Sequence, residues 1–446
     1  MEAKTQKVRK HLCIPGLLNR ARHSFDKIKD SVTRKVSISL SDCLMSGLAV
    51  FGMKYPSLLQ FDKDRDETPR VQHNLKTLYK IDQVPSDTYM RERLDDVDPR
   101  HFQKTLNRLI AQLQRGKVLE QYRYFDDYCL VSLDGTGYFS SHEIHCDSCC
   151  VKNHKDGSVT YYHQMLAAVM MNPNYPTVFP LMLEPIQKQD GKTKNDCEHN
   201  AAKRLLRNLR NAHPHLKMII VLDGLYADGI IIKLLKELNF PFIITAQSDD
   251  LKHMFEFYKA SKKKESTETA ANQKTIYRYA NKLPLNDTHH DIEVNVLECI
   301  ETTQLKKKNK TDEKYFCWIT DLSLEEKTVK YIAKGGRARW KIENETFNTL
   351  KNQGYQFEHN FGHGDKNLNT VFAYLMFIAF LIDQIQQYCC KYFKAALKKL
   401  GTRVRLWERL RMYFLLCFID TWDELYALAL GDFGIKAATL IGMNTS

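Results

Sequence analysis

Long apolar runs are scarce in this chain. The longest, Val371 to Ile382, has 12 residues and stops at Asp383, whereas a membrane-spanning helix needs about 20. It is read as a buried helix, and no membrane partner is expected. A secretory leader is also missing at the start, where Met1 to Lys10 is polar and basic and Leu17-Leu18 is too short for an apolar leader core. The protein is therefore expected inside the cell, with its 12 Cys as reduced thiols and room for one metal site rather than a disulfide framework. No internal repeat is visible. The stretch Asp190-Gly191-Lys192-Thr193-Lys194 lacks the Gly-x4-Gly-Lys-Ser/Thr spacing of a phosphate-binding loop, so no ATP site is predicted from it.

What is present is an ordinary globular composition, 43% hydrophobic and 27% charged, which excludes a disordered tail protein. At roughly 100 to 200 residues per domain, the 446 residues allow several domains. The surplus lies in charge sign. Sixty-six Lys and Arg against 53 Asp and Glu give a net charge of +13, a balance that favours a polyanionic partner, nucleic acid first.

Texture divides the chain. Residues 1–125 read as a helical N-terminal domain with possible DNA binding: its basic start either tracks phosphate or is a solvated arm, and Phe102, Leu106, Leu109, Ile110 and Leu113 recur at helical spacing. Residues 126–260 alternate strands and helices. Strands are predicted from Tyr128 to Asp134, Thr160 to Met171, Val178 to Ile186, Met218 to Asp223 and Pro241 to Ala246, with helices at Cys197 to Ala212 and Ala227 to Leu238. Residues 261–320 turn polar and alternating, a strand-rich insertion. A helix over Arg337 to Lys351 dominates residues 321–370, and residues 371–446 form a basic helical C-terminal region.

Three acids stand out by position. Asp134 ends the first predicted strand, Asp223 ends the fourth, and Glu343 lies on the helix after the insertion. A mixed sheet with that helix laid across it would gather them, and such carboxylates can hold two Mg²⁺ ions for phosphoryl transfer, since Mg²⁺ takes hard oxygen ligands. A single Asp at a strand end is more often a turn or cap residue. The order and placement of all three argue for the site.

Leu133-Asp134-Gly135-Thr136, Val221-Leu222-Asp223 and the run Arg339-Trp340-Lys341-Ile342-Glu343 through Lys351 resemble the DDE transposases of bacterial insertion sequences, broadly the IS4-like group. The resemblance spans about Tyr128 to Asn360. It implies an α/β (α+β) fold, a ribonuclease-H-like mixed sheet flanked by helices, with Asp134, Asp223 and Glu343 as catalytic residues and ligands of Mg²⁺ or Mn²⁺. It further implies DNA cleavage and strand transfer by two-metal phosphoryl transfer. The partners would be double-stranded DNA, both the element's terminal inverted repeats and the target, bound by a homodimer in the bacterial cytoplasm at the nucleoid. A metal-dependent nuclease on the same fold and an inactive DNA-binding copy are the alternatives.

The family's Tyr-x2-Arg-x3-Glu-x6-Lys pattern is met at Arg339 and Glu343 and missed twice: Gly336 stands at the Tyr position, and Lys351 lies one residue late. Arg339 and, more weakly, Lys351 are the expected DNA phosphate ligands. Arg339 also reads as an i,i+4 ion pair with Glu343. Glu345 is the rival acid, though it points about 200° from Glu343 on a regular helix. Trp340 reads as a core or platform residue.

Between His142 and His163 the spacing Cys146-x2-Cys149 matches half of a zinc site. His154 and His163 are taken as the other pair, with His145 as a substitute for His154, giving a structural Zn²⁺ clip; buried thiols and surface imidazoles are the plain alternative. Gly362-His363-Gly364-Asp365 reads as a turn. Asn195 or Asp196 would cap the helix that follows, unless its start faces the acids, in which case Glu198 and Lys194 would approach DNA or metal.

Overall fold

A computed structural model describes residues 12–32, 36–188, 195–286, 289, 291–305 and 310–431. Ten strands form one sheet: β1 (Cys129–Ser141), β2 (Cys150–Asn153), β3 (Val159–Met171), β4 (Phe179–Ile186), β5 (Met218–Leu222), β6 (Phe242–Thr245), β7 (Lys264–Ala270), β8 (Gln273–Pro284), β9 (Glu293–Leu305) and β10 (Lys310–Thr320). The apolar run Met218-Ile219-Ile220-Val221-Leu222 has no polar alternation and is buried throughout, as a parallel strand covered on both faces requires. It pairs in parallel with β1 on one side and β6 on the other. On the far side of β1, β3 runs antiparallel, and its own outer edge is shared: its first residues pair with β2 and the rest with β4. The order β4-β3-β1-β5-β6, antiparallel then parallel, is the mixed sheet of the ribonuclease-H-like fold.

The strand-rich insertion continues this sheet. β10 pairs antiparallel with β6, and β9, β8 and β7 follow outward in an antiparallel meander. Their exposed edge, β7, is almost wholly polar, which discourages pairing with another chain.

The 12-residue apolar run lies in the helix Leu368–Cys389, buried from Leu368 to Gln386. By length and composition it could cross a membrane, yet it is covered by protein throughout its apolar window. It packs against the N-terminal helices Leu40–Gly52, Asp87–Asp95 and His101–Arg115 and against β4. An ion pair pins this arrangement: Lys54 Nζ lies 2.7 Å from Asp383 Oδ2, with side-chain exposures of 2% and 11%. Lys54 also donates to Gly52 O, and Tyr355 donates its hydroxyl proton to the same Asp383 oxygen.

Candidate active site and Cys/His cluster

In the structure β1 does not end at Asp134. It runs to Ser141 because it stays hydrogen-bonded to β3, while its pairing with β5 stops at Ser132 opposite Val221. Two residues further along each of these adjacent parallel strands stand Asp134 and Asp223. With neighbouring strands about 4.8 Å apart, the chain presents the two acids side by side where the sheet opens. Asp223 follows the last residue of β5 and accepts a hydrogen bond from Leu225 N–H at 3.0 Å, capping a short 3₁₀ turn.

Glu343 arrives from the segment after the insertion. The expected continuous helix is in fact interrupted: Val329–Arg337 is helical, the chain turns at Ala338 and Arg339, and Ile342–Phe347 is a π-helical turn that passes into Asn348–Asn352. Gly335 and Gly336 let the first helix lie close on the sheet, since a Cβ at Gly336 would sit 2.5 Å from Trp318 Nε1. The same contact explains why no Tyr stands there. Short π turns of this kind concentrate at functional sites.

Arg339 lies between the acids. Its Nη1 is 3.0 Å from Glu343 Oε1 and 3.7 Å from Asp134 Oδ2, with the Arg339 and Asp134 side chains only 12% and 18% exposed. Burial pushes the Asp134 carboxyl up to about 7; Arg339 and the Gly135 N–H oppose the rise, and the charges of Glu343 and Glu198 add to it. Glu198 is thus at the site, so its helix start does face the acids. It accepts the Tyr226 hydroxyl at 2.6 Å, and Gly135 leaves it room, because a Cβ there would be 2.8 Å from Glu198 Oε2. Tyr226 feels burial first and then the charges of Glu198, Asp223 and Asp134, all of which raise its hydroxyl pKa. Lys194 lies outside the described residues.

The remaining residues sort by partner. Glu345 pairs with Arg403 at 3.5 Å and not with Arg339. Lys351 holds Glu358 at 2.7 Å, and the intervening π turn invalidates a regular-helix estimate of its direction. Trp340 is 55% exposed, with the Arg339 guanidinium carbon 5.4 Å from its ring centre. It is an exposed residue beside Arg339 rather than a core residue.

A second constellation lies at the far end of β1. Cys146, Cys149, His163 and His363 bring one ligand atom each to within 4.8 Å of all the others. His154 is not among them. It sits at the β2–β3 turn with Nε2 2.7 Å from Thr160 Oγ1, because hairpin pairing of Asn153 with Val159 carries it away from Cys146. His145 stacks on Tyr161 instead. The missing corner is His363, 214 residues from Cys149 in sequence. Gly362 (φ 142°) and Gly364 (φ 70°) take backbone conformations that favour glycine, and Asp95 accepts the N–H groups of Asp365, Lys366, Asn367 and Leu368. The turn so fixed aims His363 at the sulfurs. Its sequence signal was only a Gly-His-Gly triplet.

The fold is of the ribonuclease-H-like class, with acidic side chains grouped beside its central parallel strands. The chain belongs to the transposase DDE domain family, whose model matches residues 146–382, more than half of the 446 residues. That span contains Asp223 and Glu343 and begins after Asp134. No curated protein matches the chain. The family's chemistry makes DNA the substrate and a divalent metal the usual cofactor.

Proposed function

We propose that this protein is the DDE transposase of a bacterial, IS4-like insertion sequence, with Asp134, Asp223 and Glu343 as its metal-holding carboxylates. The observation that carries the reading is Arg339 braced between Asp134 and Glu343, at the level where β1 and β5 present Asp134 and Asp223. The donor set suits Mg²⁺ or Mn²⁺, being all oxygen and short of positive charge. When bound, such ions would activate the attacking oxygen and stabilise the leaving one in an in-line displacement.

The chain's own groups supply the rest. Asp134, with its carboxyl near 7, gives up its proton before it can hold a cation, so loading strengthens as pH rises past neutrality. Arg339 offsets negative charge while the carboxylates are unloaded. With the carboxylates loaded, its planar donors would be free to grip a DNA phosphate in the bidentate manner that Lys cannot copy. Lys351 would add a second phosphate contact on leaving Glu358, 2.7 Å from its Nζ. The substrates would be the element's terminal inverted repeats and a target duplex, held by a homodimer, with the chain's positive surplus providing salt-dependent affinity.

The test is Mg²⁺-dependent cleavage and joining of a labelled duplex carrying the element's ends, using wild type and Ala variants of Asp134, Asp223, Glu343 and Glu345. Expected is loss of both steps in the first three variants with DNA binding retained, and activity kept in Glu345→Ala. Cleavage without joined products would make the protein a nuclease. Binding with neither step would make it an inactive copy, and activity in Glu343→Ala would remove that residue from the site.

A further inference from the structure

We propose that Cys146, Cys149, His163 and His363 form a structural Zn²⁺ site that staples the β1–β2 loop to the turn following the Glu343 helix. The argument is geometric. A tetrahedral ion with Zn–S near 2.3 Å and Zn–N near 2.0–2.1 Å requires S···S separations of about 3.8 Å and S···N separations of about 3.6 Å. The observed Sγ···Sγ distance is 3.9 Å, and the Sγ···Nε2 distances are 3.6 Å for Cys146–His163, 3.3 Å for Cys149–His163 and 3.4 Å for Cys149–His363. These four separations are within about 0.3 Å of the corresponding edges of a zinc tetrahedron, and the other two ligand pairs lie within 4.8 Å.

The surroundings fit the same reading. His163 is 2% exposed, and its Nδ1 has no hydrogen-bond partner among the described residues. The ring's polar engagement is therefore Nε2, aimed at both sulfurs. His363 Nδ1 lies 2.8 Å from Gly364 O, so a proton on Nδ1 is donated to that carbonyl and Nε2 is left as the free lone pair, the usual support of a zinc-bound imidazole. The Cys146 N–H points to Cys149 Sγ at 3.4 Å, and Cys149 N–H closes the turn onto Cys146 O at 3.1 Å. Tyr138 stacks on His163, and the Phe139 ring lies tilted against His363 with centroids 4.3 Å apart, so aromatic rings flank both imidazoles. A Cys₂His₂ set of soft and borderline donors selects Zn²⁺ over Mg²⁺. On binding, both thiols release their protons to solvent. The site is chemically separate from the carboxylates.

The consequence is a long-range clip. It joins a loop near the start of the core to the segment between the Glu343 helix and Leu368–Cys389, where the chain otherwise depends on Asp95 and two glycines. The experiment uses the full-length protein, purified without a metal-affinity tag. Zinc content is measured, Zn²⁺ is replaced by Co²⁺, and affinity is read by chelator competition for wild type, Cys149→Ser, His363→Ala and His154→Ala. Expected are a single zinc per chain and a cobalt spectrum with thiolate charge-transfer and intense tetrahedral d–d bands. His363→Ala and Cys149→Ser should weaken binding at least about tenfold, the loss that even an outer partner's removal causes, and His154→Ala should leave it unchanged. In case those variants fail to fold, hydrogen exchange on wild type with and without chelator gives an independent reading: the Cys146–Cys150 loop and the Gly362–Asp365 turn should lose protection together. Protein that neither retains nor takes up Zn²⁺ or Co²⁺ overturns the proposal. So does metal lost in His154→Ala but kept in His363→Ala, or a chelator that deprotects one segment alone.

Discussion

Replacing Asp134 by Asn should stabilise the cation-free protein while abolishing the proposed chemistry, and the stabilisation should depend on pH. The Asp134 carboxyl rises from 3.8 to about 7, with burial as the main cause. A carboxylate whose folded-state value is raised costs nothing below its unfolded value, costs progressively more as pH climbs between the two, and costs the full amount above the higher one. At about 1.4 kcal/mol per tenfold, the rise from 3.8 to about 7 corresponds to about 4 kcal/mol at pH 8. Water reaching the open side of the site, and the weaker hold of a neutral amide on Arg339, reduce the expected gain to about 1–3 kcal/mol. Asn keeps the shape and an oxygen for the Gly135 N–H, so little else changes. Urea midpoints in EDTA would be compared for wild type and Asp134→Asn near pH 8 and near pH 3, below the unfolded-state value. The variant should be clearly the more stable at the higher pH and nearly equal to wild type at the lower. Mg²⁺ should then raise the wild-type midpoint at pH 8 and leave the variant's almost unmoved. A variant no more stable than wild type at pH 8, or a gain of the same size at both values, would refute the claim that Asp134 is a buried, electrostatically strained carboxylate.

Two further predictions concern packing. Lys54→Met strands the buried Asp383 without its cation and should cost about 3–5 kcal/mol; the double variant Lys54→Met, Asp383→Leu should recover most of that loss in a thermal melt, and a single variant as stable as wild type would show the pair to be idle. Gly336→Ala should lower the melting temperature through an overpacking cost of about 1–3 kcal/mol, because its Cβ would lie 2.5 Å from Trp318 Nε1 and the usual gain of Ala over Gly in a helix is smaller; an unchanged or higher melting temperature would contradict the packing of that helix on β10.

Local pattern made the central strands legible. Met218-Ile219-Ile220-Val221-Leu222 is unbroken, apolar and β-branched at its centre, and the alternation between such runs and amphipathic helices such as Glu198–Ala212 leads to a mixed sheet. That alone places Asp134 and Asp223 near strand ends. What it could not provide is register: β1 continues past Asp134 because β3 remains its partner, a fact carried by β3 and not by β1. The joining of β10 to β6, which turns the insertion into an extension of the sheet, is likewise a pairing between distant segments and leaves no mark in either sequence.

Neither the direction of Lys351 nor the fourth member of the Cys/His cluster follows from local counting. Angular bookkeeping at 100° per residue presumes a regular α-helix, and the π turn over Ile342–Phe347 breaks that premise between Glu343 and Lys351, so the direction of Lys351 was not recoverable from counting. Spacing rules for metal sites presume that ligands lie close in sequence. Two of the cluster's members, Cys146 and Cys149, obey that rule and were visible. Its fourth, His363, comes from the turn beyond the Glu343 helix, held by Asp95 and by two glycines with positive φ. Turning from His154 to His363 converts a local hairpin clip into a link across the core. A ligand borrowed from so far along the chain fixes the position of the segment that donates it, which a neighbour on the same hairpin cannot do. The physical effect of the cluster is therefore expected in the backbone after Glu343, not in the β2–β3 hairpin.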